Sequence, residues 1–277
     1  MCWSRKKPST STVDSLNQTS PLSRLSIQSS IGGIVQVAEH VAVVTGGSRG
    51  IGRAISERLA AAGTRVVIGS RDQDVAEQVV DRIKEAGGLA VAVRTDITQS
   101  AAVKELFDSA EDYFGRVDVW VNNASTATAG ALSRATDDDF DRYVAANVRA
   151  TFVALREAAT RIRDHGRIIL ISSALTVSPL PGMALLAAGK AASDHLARTL
   201  AWEVGSRGIT VNSVLPGLTR TDVLATVPPH VIADATARTP LGRLGEPGDI
   251  ADVVAFLASE ASRWITGQTI HAAGGMI

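Results

Sequence analysis

The stretch VAVVTGGSRGIGRAISERLAAAG, residues 41–63, decides the fold. Its first five residues are apolar or β-branched, the composition of a strand covered on both faces. A run of small residues, TGGSRGIG (45–52), follows, and from Ile51 the apolar positions recur at helical spacing. Gly63 stands where a helix commonly ends in a glycine. A strand that turns through glycines into a helix gathers free backbone N–H groups and the positive end of a helix dipole. Glycines there let the backbone approach a pyrophosphate. The stretch therefore predicts a βα unit that binds a dinucleotide. An ordinary strand-to-helix turn is the alternative, and the strand before and helix after argue against it.

Outward from this unit the same alternation repeats. Strands are expected at 41–45, 65–69, 89–93, 117–122, 167–172, 209–215 and 268–272. Helical segments lie between them, such as DQDVAEQVVDRIKEAGG (72–88), which opens on acidic residues and ends in two glycines. Strands alternating with helices predict an α/β fold: a Rossmann-type doubly wound parallel sheet of about seven strands with helices on both faces. No linker or repeat divides residues 37–277, which are expected to form one domain.

With 45% apolar and only 4% aromatic residues, Ala, Val, Leu and Ile must do the packing. The net charge is zero, which argues against nucleic acid and anionic membranes as partners. Cys2 is the single cysteine, so one chain has no disulfide or cysteine metal site, which fits a reducing compartment. The five histidines (His40, His165, His195, His230 and His271) show no metal-ligand spacing, and no metal is expected. No apolar run approaches the roughly 20 residues of a membrane span. Residues 1–36 are Ser/Thr-rich, basic and nearly free of acid. They read as a disordered tail or a start assigned too early, and their composition also overlaps that of organelle transit peptides. A cytoplasmic location is expected, with an organelle as the alternative.

The glycine spacing is Gly46-x-x-x-Gly50-x-Gly52. With it the chain resembles the short-chain dehydrogenase/reductase family, in the one-domain form similar to 3-oxoacyl-ACP reductases, from about Val41 to the C-terminus. VNNAS (121–125) resembles the family's Asn-Asn-Ala-Gly after the fourth strand, AANV (145–148) its asparagine-bearing helix, and VLPGLTRT (214–221) its Pro-Gly turn beside the nicotinamide. GEPGDIADVVAFLAS (245–259) and WITGQTI (264–270) resemble its C-terminal signature, although the usual Asp-Gly-Gly reads Ala273-Gly274-Gly275. The resemblance implies a nicotinamide cofactor held by Gly46, Ser48, Arg49, Gly50, Ile51, Gly52, Ser70, Arg71, Asp96, Ile97, Asn123, Ala124, Lys190, Pro216, Gly217 and Thr221. It also implies a homotetramer or homodimer joined through helices around 137–163 and 183–205.

After the second strand, NAD enzymes carry an acidic residue for the ribose hydroxyls. By resemblance Ser70 stands there, with Arg71 next and Arg49 in the glycine loop. Two guanidiniums suit a 2′-phosphate, so NADP(H) is the expected cofactor. Asp72 opposes this unless it serves to start a helix. Asp96 is expected to touch the adenine, to cap a helix, or both.

By resemblance, reduction uses Asn, Ser, Tyr and Lys, and the first two and the last match Asn147, Ser173 and Lys190. The serine positions a carbonyl, the tyrosine donates a proton, the lysine holds the ribose and the asparagine helps hold a relay water. Position 186, thirteen residues after Ser173 and four before Lys190, should be tyrosine and is Leu186. Tyr113 is expected to be remote. Tyr143, one helical turn before Asn147, reads as helix packing. Loss of a general acid costs ~10²–10⁴ in rate. A protonated imine, an iminium or a carbonyl with its own acidic group escapes that cost. Leu186 adds an apolar wall suited to a flat or cyclic substrate. Residues 174–183 should form one rim, and about 218–244 a lid, with His230 and Arg238 as its few polar candidates. An NADP(H)-dependent oxidoreductase with an atypical site is the favoured reading. A non-redox cyclase or isomerase, or an NADP(H)-binding protein without catalysis, are the alternatives.

Overall fold

The computed structural model describes residues 40–126 and 129–277. The expected N-terminal tail, 1–36, lies outside the described residues. Seven strands form one sheet: β1 (Val41–Thr45), β2 (Arg65–Ser70), β3 (Ala90–Arg94), β4 (Val119–Asn122), β5 (Arg167–Ile171), β6 (Thr210–Pro216) and β7 (Thr269–Ala272). Their order is β3-β2-β1-β4-β5-β6-β7, and every pairing is parallel. The chain thus builds outward from β1 to β3, then returns to place β4 on the other side of β1. That reversal opens a crevice beyond the strands' C-terminal ends, where such sheets bind ligands.

The helices are α1 (Gly50–Ala61), α2 (Gln73–Glu85), α3 (Ser100–Phe114), α4 (Asp137–Tyr143), α5 (Ala150–Arg161), α6 (Ala184–Val204), α7 (Pro229–Arg238) and α8 (Pro247–Ala258). They cover both faces, so β1 and β5 are buried along their whole length. One face packs Phe107, Trp120, Ile168 and Leu200; the other packs Ile55, Leu59, Val79 and Val254. Phe107 and Trp120 stack with ring centroids 4.3 Å apart, which compensates for the scarcity of aromatics. Among the described residues no helix is long and apolar enough to cross a membrane.

One expected element differs. The helix anticipated over 137–163 is interrupted by a π-helical turn at Val144–Arg149. Asn147 sits in that turn, and its Nδ2 donates to the Tyr143 carbonyl at 3.0 Å. A side chain entering the backbone ladder in this way accompanies a local widening of the helix, and such bulges concentrate at functional sites.

Candidate active site

The crevice at the β1/β4 reversal is a cleft of about 1010 Å³. Its floor is made by clasping the ends of two strands. Thr45 Oγ1, ending β1, accepts from Asn123 N at 3.0 Å and Ala124 N at 3.1 Å. Asn123 Nδ2 donates back to Thr45 O at 3.0 Å and Gly46 O at 3.1 Å. The loop between β1 and α1 then passes through left-handed conformations at Gly46 (φ 64°) and Gly50 (φ 50°). A Cβ on Gly52 would collide with the Gly46 carbonyl. No side chain caps the first turn of α1. Its N–H groups therefore remain open to an anion.

At the β2 side, Ser70 ends the strand where a carboxylate would favour NAD. Its Oγ lies 2.9 Å from Ser48 Oγ and accepts from Asp72 N at 3.2 Å. Arg71 is exposed. Arg49 Nη2 contacts Asp72 Oδ2 at 2.7 Å, but both side chains are about half exposed, at 60% and 47%. Such a pair is worth roughly 0–1 kcal/mol and yields readily to a stronger anion. Asp72 also accepts from Val75 N at 3.3 Å, which caps α2. Asp72 thus starts α2 and also pairs with Arg49. Asp96 accepts from Thr98 N at 3.0 Å and Thr98 Oγ1 at 2.8 Å. The Thr98 backbone N–H holds its carboxyl below the usual range, with smaller help from the Thr98 hydroxyl and Arg71. The α3 cap position is Gln99, so Asp96 caps the turn before that helix while facing the cleft.

Thirteen of the sixteen expected cofactor residues line the cleft: Gly46, Ser48, Arg49, Gly50, Ile51, Gly52, Ser70, Arg71, Asp96, Ile97, Asn123, Ala124 and Thr221. Lys190, Pro216 and Gly217 are not among its walls; Pro216 ends β6, further along the same sheet edge. Sequence reasoning missed Thr45, Thr95, Thr98 and Thr126. Thr45 at its strand end reads as ordinary β composition, and only the fold shows which loop it clasps.

Each residue expected to be catalytic is held by its own neighbours. Buried Asn147 accepts from Thr126 N through Oδ1 at 2.9 Å, and its Nδ2 also donates to Thr126 Oγ1 at 3.1 Å. Its amide is committed to holding the loop after β4. Ser173 Oγ accepts from Leu175 N at 3.2 Å, and its own proton has no protein acceptor among the described residues. Lys190 Nζ donates to Ile171 O at 2.6 Å, which ties the lysine to the end of β5, two residues before Ser173. Burial pulls the Lys190 ammonium down to about 8, against the opposing charge of Asp194.

Leu186 is partly buried and brings no proton. Tyr113 is 61% exposed on α3, outside the cleft walls. Tyr143 is 3% exposed, and its hydroxyl donates to the Leu186 carbonyl at 3.2 Å. Burial pushes that phenol up to about 12. A phenol so buried and engaged is a packing residue and not a replacement acid. His230 and Arg238, both on helix α7 of the 224–244 segment, are exposed, with Arg238 3.8 Å from Asp234. Neither makes a recorded contact with the site.

Residues 46–277 match the family model described as enoyl-(acyl carrier protein) reductase. The versicolorin reductase of Emericella nidulans is 39% identical over 249 residues, 85% of this chain and 94% of the relative. A hydroxynaphthalene reductase-like protein of Metarhizium brunneum is 38% identical over 256 residues, 87% of this chain and 96% of the relative. A short-chain dehydrogenase from Burkholderia cenocepacia, solved in complex with NADP, superposes with a TM-score of 0.81 at 39% identity, covering 86% of this chain and 97% of that one.

Proposed function

The chain belongs to the short-chain dehydrogenase/reductase family, and from that premise we propose that it is an NADP(H)-dependent reductase for substrates that need no tyrosine acid. The observation that carries this reading is the pairing of a complete glycine cradle with a leucine at position 186. The cradle fits a pyrophosphate, because Gly46, Gly50 and Gly52 leave backbone where side chains would stand. Arg71 and Arg49, flanking an uncharged Ser70, fit a 2′-phosphate. When bound, the reduced nicotinamide supplies a hydride. Lys190 would hold the ribose hydroxyls. Ser173, with an uncommitted proton, would orient the electrophile. Asn147 would keep the post-β4 loop closed on the site.

No described side chain at position 186 can protonate an oxygen as it gains charge. The favoured substrate is therefore a protonated imine or an iminium, which accepts hydride without a new proton, or a carbonyl that carries its own acid. The flat, apolar ring system in the name of the hydroxynaphthalene reductase-like relative supports a cyclic, apolar substrate. Leu186 and the mainly apolar 224–244 segment suit such a ligand. Assembly is expected as a homotetramer or homodimer, and Trp202, 87% exposed on α6, suits a subunit contact.

The test is NADPH oxidation by the wild-type chain and Leu186→Tyr on ketones and cyclic imines. Wild type is expected to turn over imines, and the variant to gain ketone reduction by ~10²–10⁴. If neither oxidises NADPH although both bind it, the reductase reading fails and a non-redox cyclase, isomerase or cofactor-binding role takes its place.

A further inference from the structure

The glycine loop and the turn after β2 close into a ring of polar contacts at the place where Arg49 would meet a cofactor phosphate. Ser48 Oγ and Ser70 Oγ lie 2.9 Å apart, and both serines are buried. Ser70 Oγ donates to Asp72 O at 3.0 Å and accepts from Asp72 N at 3.2 Å. Asp72 Oδ2 accepts from Arg49 Nη2 at 2.7 Å, and Arg49 follows Ser48 directly in the chain. The other carboxylate oxygen, Oδ1, accepts from Val75 N at 3.3 Å. The buried serines thus fix the Asp72 backbone, and its carboxylate is shared between the start of α2 and the guanidinium of the glycine loop.

Beside the cleft lies a smaller cavity of about 210 Å³, which shares Ser48, Arg49 and Gly50 with it and is also lined by Arg82 and Arg220. Those two arginines have carboxylates of their own: Glu57 at 3.0 Å from Arg82 and Glu246 at 2.8 Å from Arg220. Neither glutamate lines the cofactor cleft, whereas Asp72 does. Asp96, another acid of the cleft wall, is taken up by Thr98. Asp72 is therefore an acid within the cleft that holds a guanidinium a phosphate would need. A carboxylate beside an arginine either orients it for a second anion or competes with that anion. Competition is favoured here for two reasons. Both side chains are about half exposed, so the pair restrains the guanidinium too weakly to preorganise it. A phosphate dianion and the carboxylate would also bring like charges together on one cation, which is repulsive.

We propose that Asp72 is a specificity-determining residue: its carboxylate occupies Arg49 in the free chain, and the 2′-phosphate of the cofactor displaces it. This rests on the reading that Arg49 meets the 2′-phosphate, and not on which substrate is reduced. Asp72 is then an internal competitor that holds down the preference for NADPH over NADH. NADH brings no phosphate to that place and leaves the ion pair intact.

The experiment is a fluorescence titration of NADPH and of NADH, at low ionic strength, into the full chain, Asp72→Asn, Arg49→Gln and the double variant. Asparagine caps a helix about as well as aspartate, so α2 keeps its start. Asp72→Asn is expected to bind NADPH about three- to tenfold more tightly and NADH as wild type does. In the Arg49→Gln background the same substitution should gain clearly less, because the contested cation is gone. An unchanged or weaker NADPH affinity in Asp72→Asn, or an equal gain without Arg49, overturns the proposal. Weaker NADH binding in Asp72→Asn also overturns it, because the carboxylate would then serve the ribose hydroxyls. Should Asp72→Asn not fold, Asp72→Ser, which also caps, takes its place in every comparison. An Arg49→Gln that leaves NADPH affinity untouched sinks the 2′-phosphate reading of Arg49 and this proposal with it. An Arg49→Gln that weakens NADPH beside an inert Asp72→Asn sinks this proposal alone.

Discussion

Lys190 shows how one residue's surroundings set its chemistry. An exposed lysine titrates near 10.5, whereas burial brings this one to about 8. The unfolded chain thus holds a proton between those values that the folded chain has released. Stability rises with pH wherever the unfolded state binds more protons. The cost of burying the charged amine is full below about 8 and is relieved as pH climbs through the window. Urea unfolding at pH 7.5 and 9.5 should show wild type gaining about 1–2 kcal/mol over the interval relative to Lys190→Met. An equal gain in the variant would show that Lys190 titrates as an ordinary surface amine. At Leu186 the logic is opposite. No environment gives a leucine a proton, so its effect on substrate choice follows from identity alone.

Two helices explain why Tyr143 is where it is. Gly189 lies in the interior of α6, where glycine costs roughly 0.5–1 kcal/mol relative to alanine. A Cβ there would stand 2.5 Å from Tyr143 Cε1 and 3.1 Å from its hydroxyl. The glycine is the space the tyrosine occupies, and the hydroxyl's bond to the Leu186 carbonyl locks α4 onto α6. Gly189→Ser should therefore destabilise the chain by about 1–3 kcal/mol through overpacking. Combined with Tyr143→Ala, its cost should fall, with a coupling of about 1 kcal/mol or more in a double-mutant cycle read by denaturant melts. Strict additivity would mean that the two positions do not press on one another. The sequence shows both residues plainly, 46 positions apart. It cannot show their contact, which depends on how α4, just before the π-helical turn, meets α6.

For the molecule as a whole, the cleft at the sheet's reversal is lined by α1, the end of β2, the loop after β4 and the segment after β6. A ligand bound only by the folded state stabilises it by ~2.7 kcal/mol at a hundred times its Kd. For a domain of this size that raises Tm by roughly 5–10 °C. NADPH is expected to produce such a shift, and NADH at the same concentration a much smaller one, because it lacks the phosphate that Arg49 and Arg71 would meet. Equal shifts in a thermal melt would remove the case for NADP(H) over NAD(H).

The sequence by itself determined the sheet, because apolar runs covered on both faces and glycine-rich strand-to-helix turns are local patterns that few architectures satisfy. It also placed the glycine loop, Ser70 with Arg71, and the leucine at position 186, since each is fixed by residue identity at a spacing along one element. Only the tertiary structure decided which polar groups meet across elements. Thr45 clasps Asn123, Asp72 restrains Arg49, Asn147 holds Thr126, and Asp194 reaches Ser172. Those contacts arise where separate strand ends and helix faces converge, and their strength depends on burial and distance, neither of which is written in the order of residues.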